Sequence, residues 1–325
     1  MALSNYPKGF NALSVRGIPI AQTHTGQVFW VSNATTQLTG QKGGSNGNKG
    51  TFDAPFATID YAISQCTASR GDMIFVKPGH AETVSAAGDI TFDVAGVAVI
   101  GLGFGTMRPT ITLDTATTAT IKIEANNCAV KNMVFSSNFA DIVSVFTFTT
   151  GGVAKNFTME DCDVVATATN MNALHVFDTN VTTAAADGLY VNGLRWVDVD
   201  AATLGAVLLD GTNDNWTFKN IYLNTGHTTA VGTLITAATG KYVTNLVITD
   251  GFYKNGQTDG SAGVLVSSDA TTWTGLVARN YSQNADAAAN IIVFATSKLS
   301  VGPDNYHSGV DNQHGAVITT VFDNS

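Results

Sequence analysis

The chain has 325 residues, a formal net charge of −9 and only 13% charged residues, about half the usual share of roughly 25%. Thr, Asn, Gly, Ser, Ala and Val fill the gap, a composition too apolar for a disordered polyelectrolyte. No basic run occurs, which argues against a nucleic-acid-binding face, and the acidic balance reads as an ordinary solvated surface.

Cys66, Cys128 and Cys162 are too few and too scattered for a disulfide framework or a zinc site. They read as small buried hydrophobes in a protein made in a reducing cytosol. The opening MALSNYPKGFNALSV lacks the basic start and apolar run of a secretion signal. No stretch approaches the roughly 18 apolar residues of a membrane span.

Residues 1–50 carry short apolar pieces punctuated by Pro7, Gly9, Gly17, Pro19 and Gly26. The segment closes in a Gly/Asn/Lys-rich run from Gln41 to Thr51, which suits a turn or flexible connection. This stretch reads as an extended N-terminal arm. A helix follows over Pro55–Ile63, with Phe56, Ile59 and Ile63 at helical spacing and Gly71 as a stop. Asp72 then opens a strand, Met73–Val76, and Pro78-Gly79 turns the chain.

Beyond this point short windows recur, each an Asn or Gly followed by a strand-like alternation. They start at Asn132, Asn156, Gly193, Asn220, Asn245 and Gly275. Their spacing falls within the period of roughly 20–50 residues that marks solenoids. Each window supplies one short strand whose alternate residues, such as Ile221 with Leu223 or Leu246 with Ile248, point inward. A lone strand cannot bury that face, but coils stacked about 4.8 Å apart can. In-register stacking also explains the scarcity of charge, because like charges repeated from coil to coil would repel. Longer intervals read as loop insertions, and the leading Asn suits a bend in the left-handed region. A β-propeller would need four strands in roughly 40 residues, more than this spacing holds. The fold class is therefore an all-β, right-handed parallel β-helix with a short N-terminal capping helix. Its parts are an arm at 1–50, the solenoid at 51–300 and a C-terminal strand segment at 301–325.

The run GTFDAPFATIDYAISQCTASRGDMIFVKPGHAE, Gly50 to Glu82, resembles the entry of pectate-lyase-like right-handed β-helix proteins. There a PFATI…AI helix caps the solenoid and a GD-I-V-PG-Y-E segment forms the first coil; His80-Ala81 departs from the family's usual Thr-Tyr. Asn5–Phe10, Val15–Pro19 and Gly26–Val31 are similar to the opening of β-helix proteins of tailed phages. That resemblance implies a virion protein on the capsid exterior that decorates and cements the head. Its expected partner is the major capsid protein, contacted through Tyr6, Pro7, Phe10, Arg16 and Ile18, with Phe29 and Trp30 as further aromatics. It also implies a homotrimer, to which an apolar strand over Ala316–Phe322 could contribute by covering an open edge.

An enzymatic reading needs two carboxylates flanking a glycosidic bond. The candidates are Asp161 with Asp163 and Asp198 with Asp200, each an i,i+2 pair, though Asp is also common at strand ends and bends. The pectinase-type pattern of Asn-Thr-Asp, Asp-Asp, Ser-His-Gly and Arg-Ile-Lys is absent, and Arg195 and Arg279 have no obvious carboxylate partner. His24, His80, His175, His227, His307 and His314 show no ligand spacing. The Gly101-Leu102-Gly103 run lacks the strand–helix context of a phosphate loop, and Asn213-Asp214-Asn215 reads as a turn rather than a calcium site. The expectation is a non-enzymatic protein with no catalytic, cofactor or metal residues. The runner-up is a tailspike or fibre that binds or cleaves a cell-surface polysaccharide. A third reading is a carbohydrate-binding module using Trp216, Trp273 or Tyr222 as surface aromatics.

Overall fold

A computed structural model describes residues 14–15, 18–19, 26–34, 41–148, 154–198, 200–226, 233–256, 265–267, 272–283, 292–293, 298–302, 304–308 and 316–317. Three sheets dominate. The first has ten strands, from Val28–Val31 and Met73–Val76 through Ala98–Gly101, Ala129–Lys131 and Thr217–Lys219 to Lys298–Val301. The second, also of ten, includes Thr110–Leu113, Val134–Ser137, Arg195–Asp198, Tyr222–Thr225, Phe252–Lys254, Tyr281–Gln283 and Tyr306–Ser308. The third has eight, among them Ile121–Ile123, Ile142–Phe148, Ala173–Asp178 and Val207–Leu209.

The chain visits the sheets in rotation, and each strand pairs in parallel with the strand one coil earlier and one coil later. The result is a parallel β-solenoid. Val164, Trp196, Leu223 and Tyr253 form one such ladder, and all four are fully buried. Phe135, Leu223 and Ile248 belong to one continuous core cluster, as the inward alternation predicts. Phe92, Phe135, Phe146, Phe148, Phe157 and Phe177 fill its middle, with ring centroids 4.9 to 6.4 Å apart. Tilted and edge-on rings of this kind contribute beyond their buried area.

Two corners make the winding possible. The corner from first to second sheet is held by Asn132, Asp161, Gly193, Asn220, Asp250, Arg279 and Asp304, all at positive φ between 52° and 75°. The corner that leads into the first sheet is held by Gly96, Asn127, Asn156, Gly188, Asn215 and Asn245. Asn and Asp tolerate the left-handed region because their short polar groups bond locally. They also bond from coil to coil: Asn156 Nδ2 donates to Asn127 Oδ1 at 2.9 Å, and Asn220 Nδ2 to Asn192 Oδ1 at 2.8 Å. At Gly193 an added Cβ would lie 2.8 Å from Asp161 Oδ1, so a larger residue there would have to displace that carboxylate.

These corners correct the sequence reading of the repeat. Asn132, Gly193 and Asn220 belong to one corner, whereas Asn156 and Asn245 belong to the other. The uneven window spacing arises largely from mixing the two corners, with Gly275 inside the strand Thr274–Ala278, and partly from coils that differ in length. Successive residues of the corner from first to second sheet recur 25 to 32 residues apart, with 29 between Asp250 and Arg279.

The helix is shorter than its apolar spacing suggests. It spans Ile59–Ser64, N-capped by Thr58, whose Oγ1 accepts from Tyr61 N at 3.4 Å. Ile59, Ala62 and Ile63 are buried against Val28–Val31, Met73–Val76 and Thr91–Phe92. Phe56 lies outside the helix because its backbone forms a parallel bridge with Val31. The strand Val28–Val31 pairs in register with Met73–Val76, so part of the segment placed before residue 50 is built into the first sheet. The loop at 41–51 is fastened to it: Asn46 Oδ1 accepts from Ala57 N at 3.0 Å, and Trp30 N donates to Gly50 O at 2.9 Å. Further upstream, Ser14–Val15 and Ile18–Pro19 pair antiparallel.

Candidate functional site

A shallow, open depression of about 590 Å³ lies on the outer side of the second sheet and its entering corner. Outward positions alternate along each strand, and in-register pairing brings Tyr222, Phe252, Tyr281 and Tyr306 into one row. Tyr222 and Phe252 stack with centroids 5.1 Å apart at 14°, and Phe252 and Tyr281 at 5.4 Å and 5°. Arg195, in the coil before, sits with its guanidinium carbon 5.7 Å from the Tyr222 ring centroid. The tyrosines keep more than a third of their surface exposed: 39% at Tyr222 and Tyr281 and 37% at Tyr306.

The corner residues form the depression's polar side. Arg279 donates from Nε to Asp250 Oδ1 at 2.7 Å and from Nη2 to Oδ2 at 2.9 Å, a two-pronged pair. The guanidinium holds the Asp250 carboxyl below the usual carboxylate range. Arg279 has φ +56°, a conformation that costs a long L side chain about 1–2 kcal/mol. Every other described residue of that corner with positive φ is Asn, Asp or Gly.

A second cluster lies at the third sheet. Asp178 closes the strand Ala173–Asp178, and Asp210 follows the strand Val207–Leu209 of the next coil. The two strands pair, with Asp178 opposite Leu208. Burial raises the pKa of both carboxyls, and the negative charge of Asp178 raises Asp210 further. His175 and Lys241 act in the opposite direction on Asp210. His175 is almost fully buried, its Nδ1 2.6 Å from Gly205 O, and burial lowers its pKa. The two carboxyls lie near enough for the charge of one to act on the other.

The carboxylate pairs expected from sequence do other work. Asp161 is a corner residue, and its carbonyl accepts from Arg108 Nη2 at 2.6 Å. Asp163 Oδ2 accepts from Arg108 Nη1 at 2.8 Å. Asp198 is buried, and its Oδ1 accepts from Asp200 N at 3.0 Å. Burial pushes its carboxyl up to about 6. Asp214 is occupied as an acceptor for Thr244, Asn245 and Asn215.

Other expectations are also displaced. Trp216 and Trp273 are fully buried and are not surface aromatics; Trp216 Nε1 donates to Ala186 O at 2.7 Å. Of the three proposed rings only Tyr222 faces outward. Arg279 does have a carboxylate partner, Asp250, whereas Arg195 lies over the Tyr222 ring. His80 is an interior bridge, with Nδ1 accepting from Asn33 N at 3.0 Å and Nε2 3.0 Å from Glu82 Oε2. Cys128 and Cys162 are buried free thiols, and Cys66 is half-buried. Tyr6, Pro7, Phe10 and Arg16 lie outside the described residues, as does the Ile18 side chain. Of the C-terminal strand the structure describes Ala316–Val317, antiparallel to Tyr306–His307.

No family model matches the chain, and no curated protein matches it. Among solved structures it is similar to a rhamnogalacturonan lyase, at 12% identity and a TM-score of 0.47, over 85% of this chain and 87% of that one. It is also similar to the pectate lyase Pel9A, at 14% identity and a TM-score of 0.42, over 91% and 83%. The fold itself rests on the strand pairing described above. One expectation is corrected by this finding: the chain was read as non-enzymatic, yet both similar structures are named as lyases.

Proposed function

We propose that the chain is a structural protein of a tailed-phage particle, a right-handed pectate-lyase-like β-helix that decorates and stabilises the capsid exterior as a homotrimer. It would bind the major capsid protein through the N-terminal segment that carries Tyr6, Pro7, Phe10, Arg16 and Ile18. The supporting observation is the way the chain enters the solenoid. Val28–Val31 is the edge strand of the first sheet, so the sequence before it joins the rod at one end. The coils that follow form a stiff, heavily hydrogen-bonded body with one continuous core. A brace needs this division between a short anchor and a rigid span.

Deleting residues 1–20 spares the Val28–Val31 strand and tests the reading directly. Purified heads lacking this protein are mixed with full-length or truncated chain, and occupancy is counted after sedimentation. Full-length protein should saturate the heads and the truncated form should leave them bare. Full occupancy by the truncated form would refute the anchor.

A second reading, a phage fibre that cleaves a cell-surface polysaccharide, draws on the neighbouring carboxyls Asp178 and Asp210. Under it, the unaltered chain would release glycan fragments and Asp178→Asn and Asp210→Asn would each abolish that release.

A further inference from the structure

The loop that packs on the first coil holds a glutamine against a buried lysine. Lys77 follows the strand Met73–Val76, and only 7% of it is exposed. Its Nζ donates to Gln41 Oε1 at 3.1 Å and to Phe52 O at 2.5 Å. It also lies 4.3 Å from the centroid of the Phe52 ring. We propose that Lys77 and Gln41 join in an intramolecular isopeptide bond that staples this loop to the solenoid.

The surroundings of the amine favour the reaction. A buried lysine is ordinarily paired with a carboxylate. Among the described residues no carboxylate lies within ion-pair distance of Nζ. Its partners are a neutral amide, a backbone carbonyl and a ring. The Phe52 ring packs edge-on against Trp30, with centroids 4.9 Å apart, and Trp30 packs against Phe75 at 5.2 Å. Burial lowers the pKa of Lys77 and so favours the neutral amine, which is the nucleophilic form. Turning that amine into an amide removes a buried charge altogether.

Both partners are held in place by the backbone. Thr51 and Ala54 exchange hydrogen bonds of 3.1 and 3.2 Å, so Phe52 and Asp53 sit at the tip of a closed turn. Lys42 N donates to Asp53 O at 2.9 Å, which keeps the neighbouring Gln41 beside that turn. Lys77 N donates to Val31 O at 2.9 Å. The amine and the amide therefore meet without a search, and such fixing removes much of the barrier to a reaction between two groups.

The proton also has a route. The Asp53 carboxylate is near enough to act on the charge of Lys77. Nζ attacks Gln41 Cδ; the Cδ–Nζ bond forms and the Cδ–Nε2 bond breaks. Asp53 takes a proton from Nζ and passes it to Nε2, which leaves as ammonia. No oxidant and no further reactant is consumed. Trp30 Nε1 is a buried donor without a hydrogen-bond partner in the same aromatic cluster, available to the amide oxygen as it gains negative charge.

Mass spectrometry of the purified full-length chain is the test. The unaltered chain, with or without Met1, should be lighter than its sequence by one ammonia. Digestion should yield the peptide of Gln41 joined to the peptide of Lys77. Lys77→Met and Gln41→Glu should each show no loss of ammonia. Asp53→Asn should close about 100-fold more slowly, read from the linked fraction against time after synthesis. The full sequence mass in the unaltered chain overturns the proposal. So does an ammonia loss that persists in Lys77→Met, which would mark a succinimide elsewhere, as at Asn46-Gly47. The measurement needs no phage head, so its failure is distinct from failure of the capsid reading.

Discussion

Leu223→Ala probes the core where the ladder is tightest. Leu223 has no exposed surface and sits in register between Trp196 and Tyr253, both also fully buried. Removing three carbons forfeits about 2 kcal/mol of transfer energy at roughly 0.8 kcal/mol each. A cavity term adds to this, because the surroundings relax only in part. Here relaxation is opposed by the fixed backbone spacing of the coils on either side and by the bulk of both neighbours. The total should fall in the upper part of the usual range, about 3–5 kcal/mol. Urea unfolding followed by tryptophan fluorescence reads the loss as a lowered midpoint, with the slope checked for a change in the unfolded or native state. Asn224→Ala, the next residue and only half-buried, is the control and should stay within about 0.5 kcal/mol. A loss below about 1 kcal/mol at Leu223 would mean that the coils can close around a missing side chain, and the picture of a stiff, register-locked core would be wrong.

Two further outcomes follow from particular residues. Asp198 titrates at about 6 in the folded chain against 3.8 for the free side chain. Its contribution is therefore fully present below about pH 4 and lost as pH rises through about 6, some 3 kcal/mol in all. Asp198→Asn should remove that loss, so the variant gains on the parent in melting temperature between pH 4 and 7; a pH-independent difference would refute the assignment. Asn132 combines φ +54° with side-chain bonds from Nδ2 to Gly101 O at 2.8 Å and to Gly103 O at 3.2 Å. Asn132→Val should cost at least 2 kcal/mol, from the β-branched strain and the lost bonds, whereas Asn132→Gly should cost less; equal midpoints for the two variants would show that the backbone does not demand this conformation.

The solenoid is legible in the sequence because its cause is local. Alternation marks Leu223 and Ile248 as inward, and Asn before each strand marks the bend. The phase of the coil is less legible, since both corners use the same residue types and a single list of Asn positions mixes them. The helix was overextended because Phe56 keeps helical spacing to Ile59 while its backbone bridges Val31. Trp216 and Trp273 were misplaced for a different reason: tryptophan suggests a binding surface, but here the interior is wide enough to hold the indole. The closeness of Asp178 to Asp210 could not be read without the correct phase, because the two lie about a coil apart in the chain. The aromatic row did leave a signal. Asn-Ile-Tyr, Asp-Gly-Phe, Arg-Asn-Tyr and Asp-Asn-Tyr repeat at the four corners, visible once the left-handed residue is taken as the origin.

The two-residue corner between the first and second sheets has an evolutionary consequence. Lys131 ends one strand and Val134 begins the next, with only Asn132 and Met133 between them. Adding a single residue there would turn every following side chain of the strand to the opposite face. A small insertion or deletion is therefore costly at the two-residue corners, whereas the longer connections from Val76 to Ala81 and from Gly101 to Thr110 on the same edge hold extra residues. Where the corner is only two residues long, the rod can change length without reversing a strand by duplicating or losing an entire winding, so changes there should come in quanta of one coil.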